Sequence, residues 1–152
     1  KMGMVLLMVI GGSPGSTAGG MKTTTAAVLF AMAISVFRKN EQAHLYNRRI
    51  AEETQRNAAT IFVLYMMLFT GSAMVISYVE KVPLVTAFFE TGSAIGTVGL
   101  SLGLTPTLGL ASRLVLICLM FFGRVGGLTL IFATVSGKRT EYKYPQEKIT
   151  VG

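Results

Sequence analysis

Twenty-two consecutive residues, Asn57 to Tyr78, carry no charged side chain and no proline. Wound as a helix at about 1.5 Å per residue they rise roughly 33 Å, enough to cross about 30 Å of hydrocarbon with modest tilt. That run makes a membrane protein the leading expectation. The composition agrees: 51% of the 152 residues are apolar and 14% charged, whereas soluble domains carry about 25% charged residues.

The net charge of +7 would fit a nucleic-acid partner, but its distribution argues against one. Nine of the fourteen basic residues fall in two patches, Arg38, Lys39, Arg48, Arg49 and Arg56, then Lys138, Arg139, Lys143 and Lys148. Basic patches beside apolar runs follow the positive-inside rule, so linker 39–57 and the C-terminal tail are expected in the cytoplasm. Cys118 is the sole cysteine, which excludes a disulfide framework and a thiolate metal cluster; it is expected as a small core side chain. Asp is absent and His44, in a polar linker, is expected to be solvated, so no Ser/His/Asp set exists. Beginning at Lys1 in mid-hydrophobic run without a signal-peptide pattern, the chain reads as the C-terminal piece of a longer protein.

The segment Met2 to Phe37 holds two short apolar runs around GGSPGSTAGGMKTTT. Neither run crosses a bilayer alone, and Gly and Pro cannot sustain a helix between them. Non-helical backbone at membrane depth is tolerated only where it is buried in protein or lines water, so a broken span beside a cavity is expected. A phosphate-binding loop is excluded because Met21 separates Gly20 from Lys22. Pro83 to Ile95 is a half-length apolar run with Pro83 near its start, where a helix accepts it. Glycines at 92, 96, 99 and 103 and Pro106 then oppose further helix, predicting a re-entrant helix and an extended return strand. A last span is predicted from about Leu108 to Val135.

Ser93-Ala94-Ile95-Gly96-Thr97-Val98-Gly99 follows that half-helix. A potassium ion surrenders hydration water where backbone carbonyls of suitable spacing replace it, and glycine permits the φ values that turn successive carbonyls to one axis. The carbonyls of Gly96, Thr97, Val98 and Gly99 are therefore the expected ion ligands, with the Thr97 hydroxyl an optional extra. Arg124, in the last span, costs about 2.5–3.5 kcal/mol at mid-bilayer and should face a polar cavity. Glu90, before the filter, is expected to pair with Arg124 or to support the filter through backbone N–H groups; spacing does not choose. Gly123 and Gly127 form a small-xxx-small pair that allows close packing.

With these pieces in place, GGSPGSTAGGMKTTT, SAIGTVGLS, FFGRVGGLTL and the terminal PQEKITVG, the chain resembles the C-terminal third of a Trk/Ktr/HKT-type potassium transporter membrane subunit, closest to the KtrB-like branch. Gly127 stands where that family usually has Pro. The resemblance implies an all-α membrane protein with three transmembrane spans, the first broken, plus one re-entrant pore helix and selectivity-filter loop. It divides the chain into 1–38 (broken span of repeat three), 39–57 (linker), 58–134 (repeat four) and 135–152 (tail). It also implies that the insert, Gly15, Ser16, Thr17, Ala18, Gly19, Gly20 and Lys22, gates the filter from below together with Arg124.

The expected function is uptake of K+, with Na+ a candidate activator and no other cofactor. The implied partners are the lipid bilayer, a second copy of the chain in a homodimer and a cytoplasmic nucleotide-binding regulatory ring, in a bacterial cell membrane. Two alternatives remain at this stage. A tetrameric two-span potassium channel would also need one pore loop per subunit, but four copies of Arg124 would crowd one axis. A membrane-embedded enzyme would have only Glu90 as its acid or base.

Overall fold

The computed structural model describes residues 2–38, 44–45 and 48–126. Five α-helices carry the architecture: α1 (Met2–Val9), α2 (Thr23–Phe37), α3 (Glu52–Glu80), α4 (Leu84–Ile95) and α5 (Leu110–Val125). A two-residue antiparallel ribbon, β1 (His44–Leu45) with β2 (Arg48–Arg49), interrupts the linker, with His44 opposite Arg49. This ribbon is a small departure from the all-helical expectation.

The 29 residues of α3 form the one described helix long and apolar enough to cross a membrane. It starts five residues before the uncharged run, because Glu52 and Glu53 occupy its first turn, where carboxylates complement the helix dipole. Ala58, Ile61, Tyr65, Phe69, Ala73 and Ile76 are buried along it, a stripe at helical spacing. Only 28% of its most apolar window is buried. Phe62, Met67, Met74 and Tyr78 face outward, so α3 has an apolar outer face. It packs against α2, α4 and α5, while α1 packs against α4.

At its end, α3 stops on Lys81, in the left-handed region at φ 53°. Ser77 Oγ donates to the Val82 carbonyl at 2.8 Å, and the Pro83 carbonyl receives the first amides of α4, from Thr86 and Ala87. These bonds fold α4 back beside α3, where Phe69 and Phe88 stack with ring centroids 5.1 Å apart. The inner face of α4 is almost wholly buried, from Phe89 to Ile95.

The return from α4 is not a regular strand. Residues 98–104 are irregular backbone closed by one 3-10 turn, Thr105–Thr107, because Gly99 and Gly103 both adopt positive φ, which breaks strand geometry. α5 then ends at Val125, capped by Gly126 at φ 85°. The predicted span to Val135, Gly127 and the tail lie outside the described residues. Cys118 is exposed rather than in the core: α5 presents Leu116, Leu119 and Gly123 inward, and position 118 falls on the other face.

Candidate functional site

The four predicted filter residues follow directly from the end of α4. Gly96 N–H returns to the Gly92 carbonyl at 3.0 Å, Thr97 N–H to Ala94 at 3.1 Å and Val98 N–H to Ser93 at 2.9 Å. The last two bonds, with Thr97 at φ 52°, are the pattern that caps a helix through a left-handed residue. Thr97 therefore opens the segment as a helix cap and not as extended strand, because the orphan carbonyls of α4 claim the amides of 97 and 98. A trans peptide holds its C=O opposite its N–H, so the Gly96 and Thr97 carbonyls point away from α4. Among the described residues, no hydrogen bond is accepted by a carbonyl of Gly96, Thr97, Val98 or Gly99.

A β-branched residue at positive φ is an outlier, and such strain costs about 1–3 kcal/mol where its surroundings enforce it. The enforcing contact comes from the insert: Gly19 N–H donates to Thr97 Oγ1 at 2.8 Å across 78 positions. Gly20 N–H donates to the Gly123 carbonyl at 3.2 Å and Met21 N–H to Val9 at 3.2 Å. Gly19, Gly20 and Met21 are buried, while Ser13 to Thr17 form an exposed tip. Glycine is required at these crossings. A Cβ on Gly123 would fall on the Ile95 carbonyl oxygen, and one on Gly96 would come 2.5 Å from the Met8 oxygen.

Arg124 occupies the last turn of α5, where its charge complements the helix dipole, and its Nη1 donates to the Thr17 carbonyl of the insert. Lys22 Nζ donates to the Ala18 carbonyl at 2.6 Å. Arg124 thus fastens the insert to α5, and Lys22 braces it from within. Gly15, at φ 83°, and Ser16 sit at the exposed tip.

Glu90 does not pair with Arg124. It is 3% exposed, and its Oε1 accepts from Ser101 Oγ at 2.7 Å and Leu102 N–H at 2.9 Å. Its Oε2 accepts from Thr105 Oγ1 at 2.7 Å. Glu90 thereby holds the return segment, while Arg124 meets the insert. Glu90, Thr97, Gly99 and Ser101 line an open cavity of about 630 Å³ that α5 borders with Leu116 and Met120.

Ser101, Thr105 and Glu80 escaped the sequence reading. The hydroxyls just after the filter were the available signal for the first two. Glu80 Oε1 accepts from Gly109 N–H at 2.9 Å and Ser112 Oγ at 2.6 Å, and only a carboxylate at the end of an apolar run hinted at it. Glu80 lies beyond that run, and hydrogen bonds from Ser112 and then Gly109 hold its carboxyl below the usual carboxylate range. Among the described residues no group of three or more His, Cys, Asp or Glu could hold a metal.

Residues 1–142 match the TrkH family, described as cation transport protein. The chain belongs to the TrkH family of cation transport proteins. It is 42% identical over 155 residues to the potassium/sodium uptake protein NtpJ of Enterococcus hirae, covering 97% of this chain and 34% of that protein. It is 33% identical to the Ktr system potassium uptake proteins B and D of Bacillus subtilis, covering 97% and 96% of this chain and 33% of each relative. The chain spans about a third of the length of these curated relatives. The relatives are cation transport proteins and not enzymes, as the resemblance implied.

Proposed function

We propose that this chain forms one quarter of a potassium-conducting pore, together with the broken span and loop that gate it. One observation carries the reading: four consecutive carbonyls at 96–99 are left without a hydrogen-bond donor among the described residues, directly beyond the C-terminus of a buried half-helix. Gly96 is buried, Thr97 half-buried, and Val98 and Gly99 exposed, and oxygens so placed can replace the water around a monovalent cation. The negative end of α4 adds a field that favours the ion.

The chain would run inward through α1, the insert and α2, outward through α3 and back through α5, with α4 and residues 96–109 as the re-entrant loop. The repeat at 58–134 would supply the filter strand and segment 1–38 the gate, with linker 39–57 and tail 135–152 in the cytoplasm. In the gate, Gly19 sits against Thr97 while Arg124 and Lys22 hold the insert beneath the filter. A fixed guanidinium there raises the barrier to cations until the insert moves. Opening would let K+ descend its electrochemical gradient, with about 2.3 kcal/mol per 100 mV available for each charge moved inward. The resemblance supports a homodimer resting on a cytoplasmic nucleotide-binding ring in a bacterial cell membrane, and Na+ as activator.

The test is rubidium uptake by a potassium-uptake-deficient bacterium expressing the full-length protein. Gly99, at φ 80°, favours glycine, so Gly99→Ser should abolish uptake or its preference for potassium. Unchanged uptake and selectivity at equal protein abundance would remove the filter assignment.

A further inference from the structure

The segment that leads from the filter back to α5 packs on the core through Leu104 and Leu108 and is otherwise anchored by charge. Ser101, Leu102, Gly103, Thr105, Pro106 and Thr107 are all exposed, and only Leu108 is buried. Glu90 holds its beginning, and Arg113 Nη2 donates to the Pro106 carbonyl at 2.9 Å in its middle. Its far end is held from a different helix. Gly109 is the N-cap of α5 and has no side chain with which to cap it. Glu80, the last residue of α3, accepts from the N-cap's own N–H and from Ser112 Oγ at N3, the N–H contact that a capping-box Glu makes from within its own helix.

An acidic group at a helix start also complements the helix dipole. The position of Glu80 is itself determined, because the left-handed Lys81 and the Ser77–Val82 hydrogen bond end α3 at that point. A Cβ on Gly109 would come 3.1 Å from Glu80 Oε1, so the absent side chain makes room for the carboxylate.

We propose that Glu80 is a positioning residue for ion discrimination: by capping α5 from α3 it fixes the far end of the return segment, and through it the spacing of the carbonyls at 96–99. The proposal rests on the filter reading above. Removing Glu80 releases Gly109 N–H and the Ser112 hydroxyl, leaving the Glu90 and Arg113 hydrogen bonds to hold a segment that contains Gly99 and Gly103, both at positive φ.

The experiment measures rubidium and sodium uptake by the full-length protein in the deficient bacterium, with abundance followed by immunoblot. Glu80→Ala should lower the rubidium-to-sodium ratio about tenfold at undiminished maximal flux, the size expected for lost hydrogen bonds to an ionised group. Glu80→Gln, which keeps an acceptor oxygen, should restore most of the ratio. Gly109→Pro provides a variant that leaves Glu80 in place. At φ −65° the residue already has a proline geometry, so the change removes the N–H donor without altering φ, and the added ring crowds the carboxylate, a Cβ there lying 3.1 Å from Glu80 Oε1. It should lower the ratio as Glu80→Ala does.

If Glu80→Ala does not accumulate, Gly109→Pro and Ser112→Ala decide the matter. An unchanged ratio in whichever variants accumulate overturns the role of Glu80. Gly99→Ser separates the two levels. Loss of selectivity there with none in the Glu80 set refutes only the positioning role, whereas no effect of Gly99→Ser removes the filter reading beneath it.

Discussion

The insert touches the proposed filter where Gly19 N–H meets Thr97 Oγ1, and Gly19→Ala tests the coupling between them. An added Cβ would lie 2.7 Å from Thr97 Cγ2, 2.8 Å from Thr97 Oγ1 and 3.0 Å from the Gly123 carbonyl, where ordinary contact begins at 3.4 Å. The insert must therefore withdraw about 0.7 Å, which stretches the 2.8 Å Gly19–Thr97 hydrogen bond to the limit of its range. Overpacking of this kind costs about 1–3 kcal/mol, and the weakened hydrogen bond about 0.5–1.5 kcal/mol. Taking about 2 kcal/mol against the closed arrangement alone, the open-to-closed ratio rises about thirtyfold, so a gate open about 1% of the time becomes open about a quarter of the time.

The assay is basal rubidium flux into proteoliposomes holding the full-length protein. Gly3→Ala is the control, since nothing lies within 4 Å of a Cβ there. Gly19→Ala should raise basal flux more than tenfold. Adding Thr97→Ser, which removes Cγ2, should bring it part-way back. Equal flux in Gly19→Ala, Gly3→Ala and the parent, at equal abundance, would refute the idea that the insert closes the filter by touching Thr97.

Arg124→Gln removes the guanidinium that holds the Thr17 carbonyl. Basal flux should rise about tenfold or more, and less than additively in combination with Gly19→Ala, since both release one loop; strict additivity in the flux assay would place them in separate devices. Glu90→Ala strands the donors of Ser101, Leu102 and Thr105, and should destabilise the protein by about 3 kcal/mol or more, with Glu90→Gln intermediate; a melt in detergent that shows no difference would refute the anchor. Because the Glu80 carboxyl sits below the usual range, its contribution is complete above the ordinary glutamate range and is lost as pH falls through the lowered value. The melting difference between Glu80→Gln and the parent should therefore vanish on acidification, and a difference that persists in acid would contradict the assignment.

The elements that were legible in the sequence are those set by local rules. The uncharged run dictated α3, Gly and Pro between two short apolar runs dictated the break between α1 and α2, and Pro83 with the later glycines bounded α4. Hydrophobic length, the missing proline N–H and glycine's freedom act over a few residues, so one dimension suffices to see them. The candidate filter was visible for the same reason, since Gly96 and Gly99 flank Thr97 and Val98 immediately after the half-helix.

Tertiary structure alone decided which distant groups meet. Gly19 and Thr97 are 78 positions apart, and Thr17 and Arg124 are 107; no spacing rule connects them. It chose hydroxyls and an amide for Glu90 over Arg124, turned Cys118 outward and set Thr97 left-handed rather than extended. These outcomes depend on how close two backbones can come, which the glycines at 19, 96 and 123 permit only once the helices are packed. A buried carboxylate takes whichever donors that packing brings within hydrogen-bond range, and its sequence neighbours have no part in the choice.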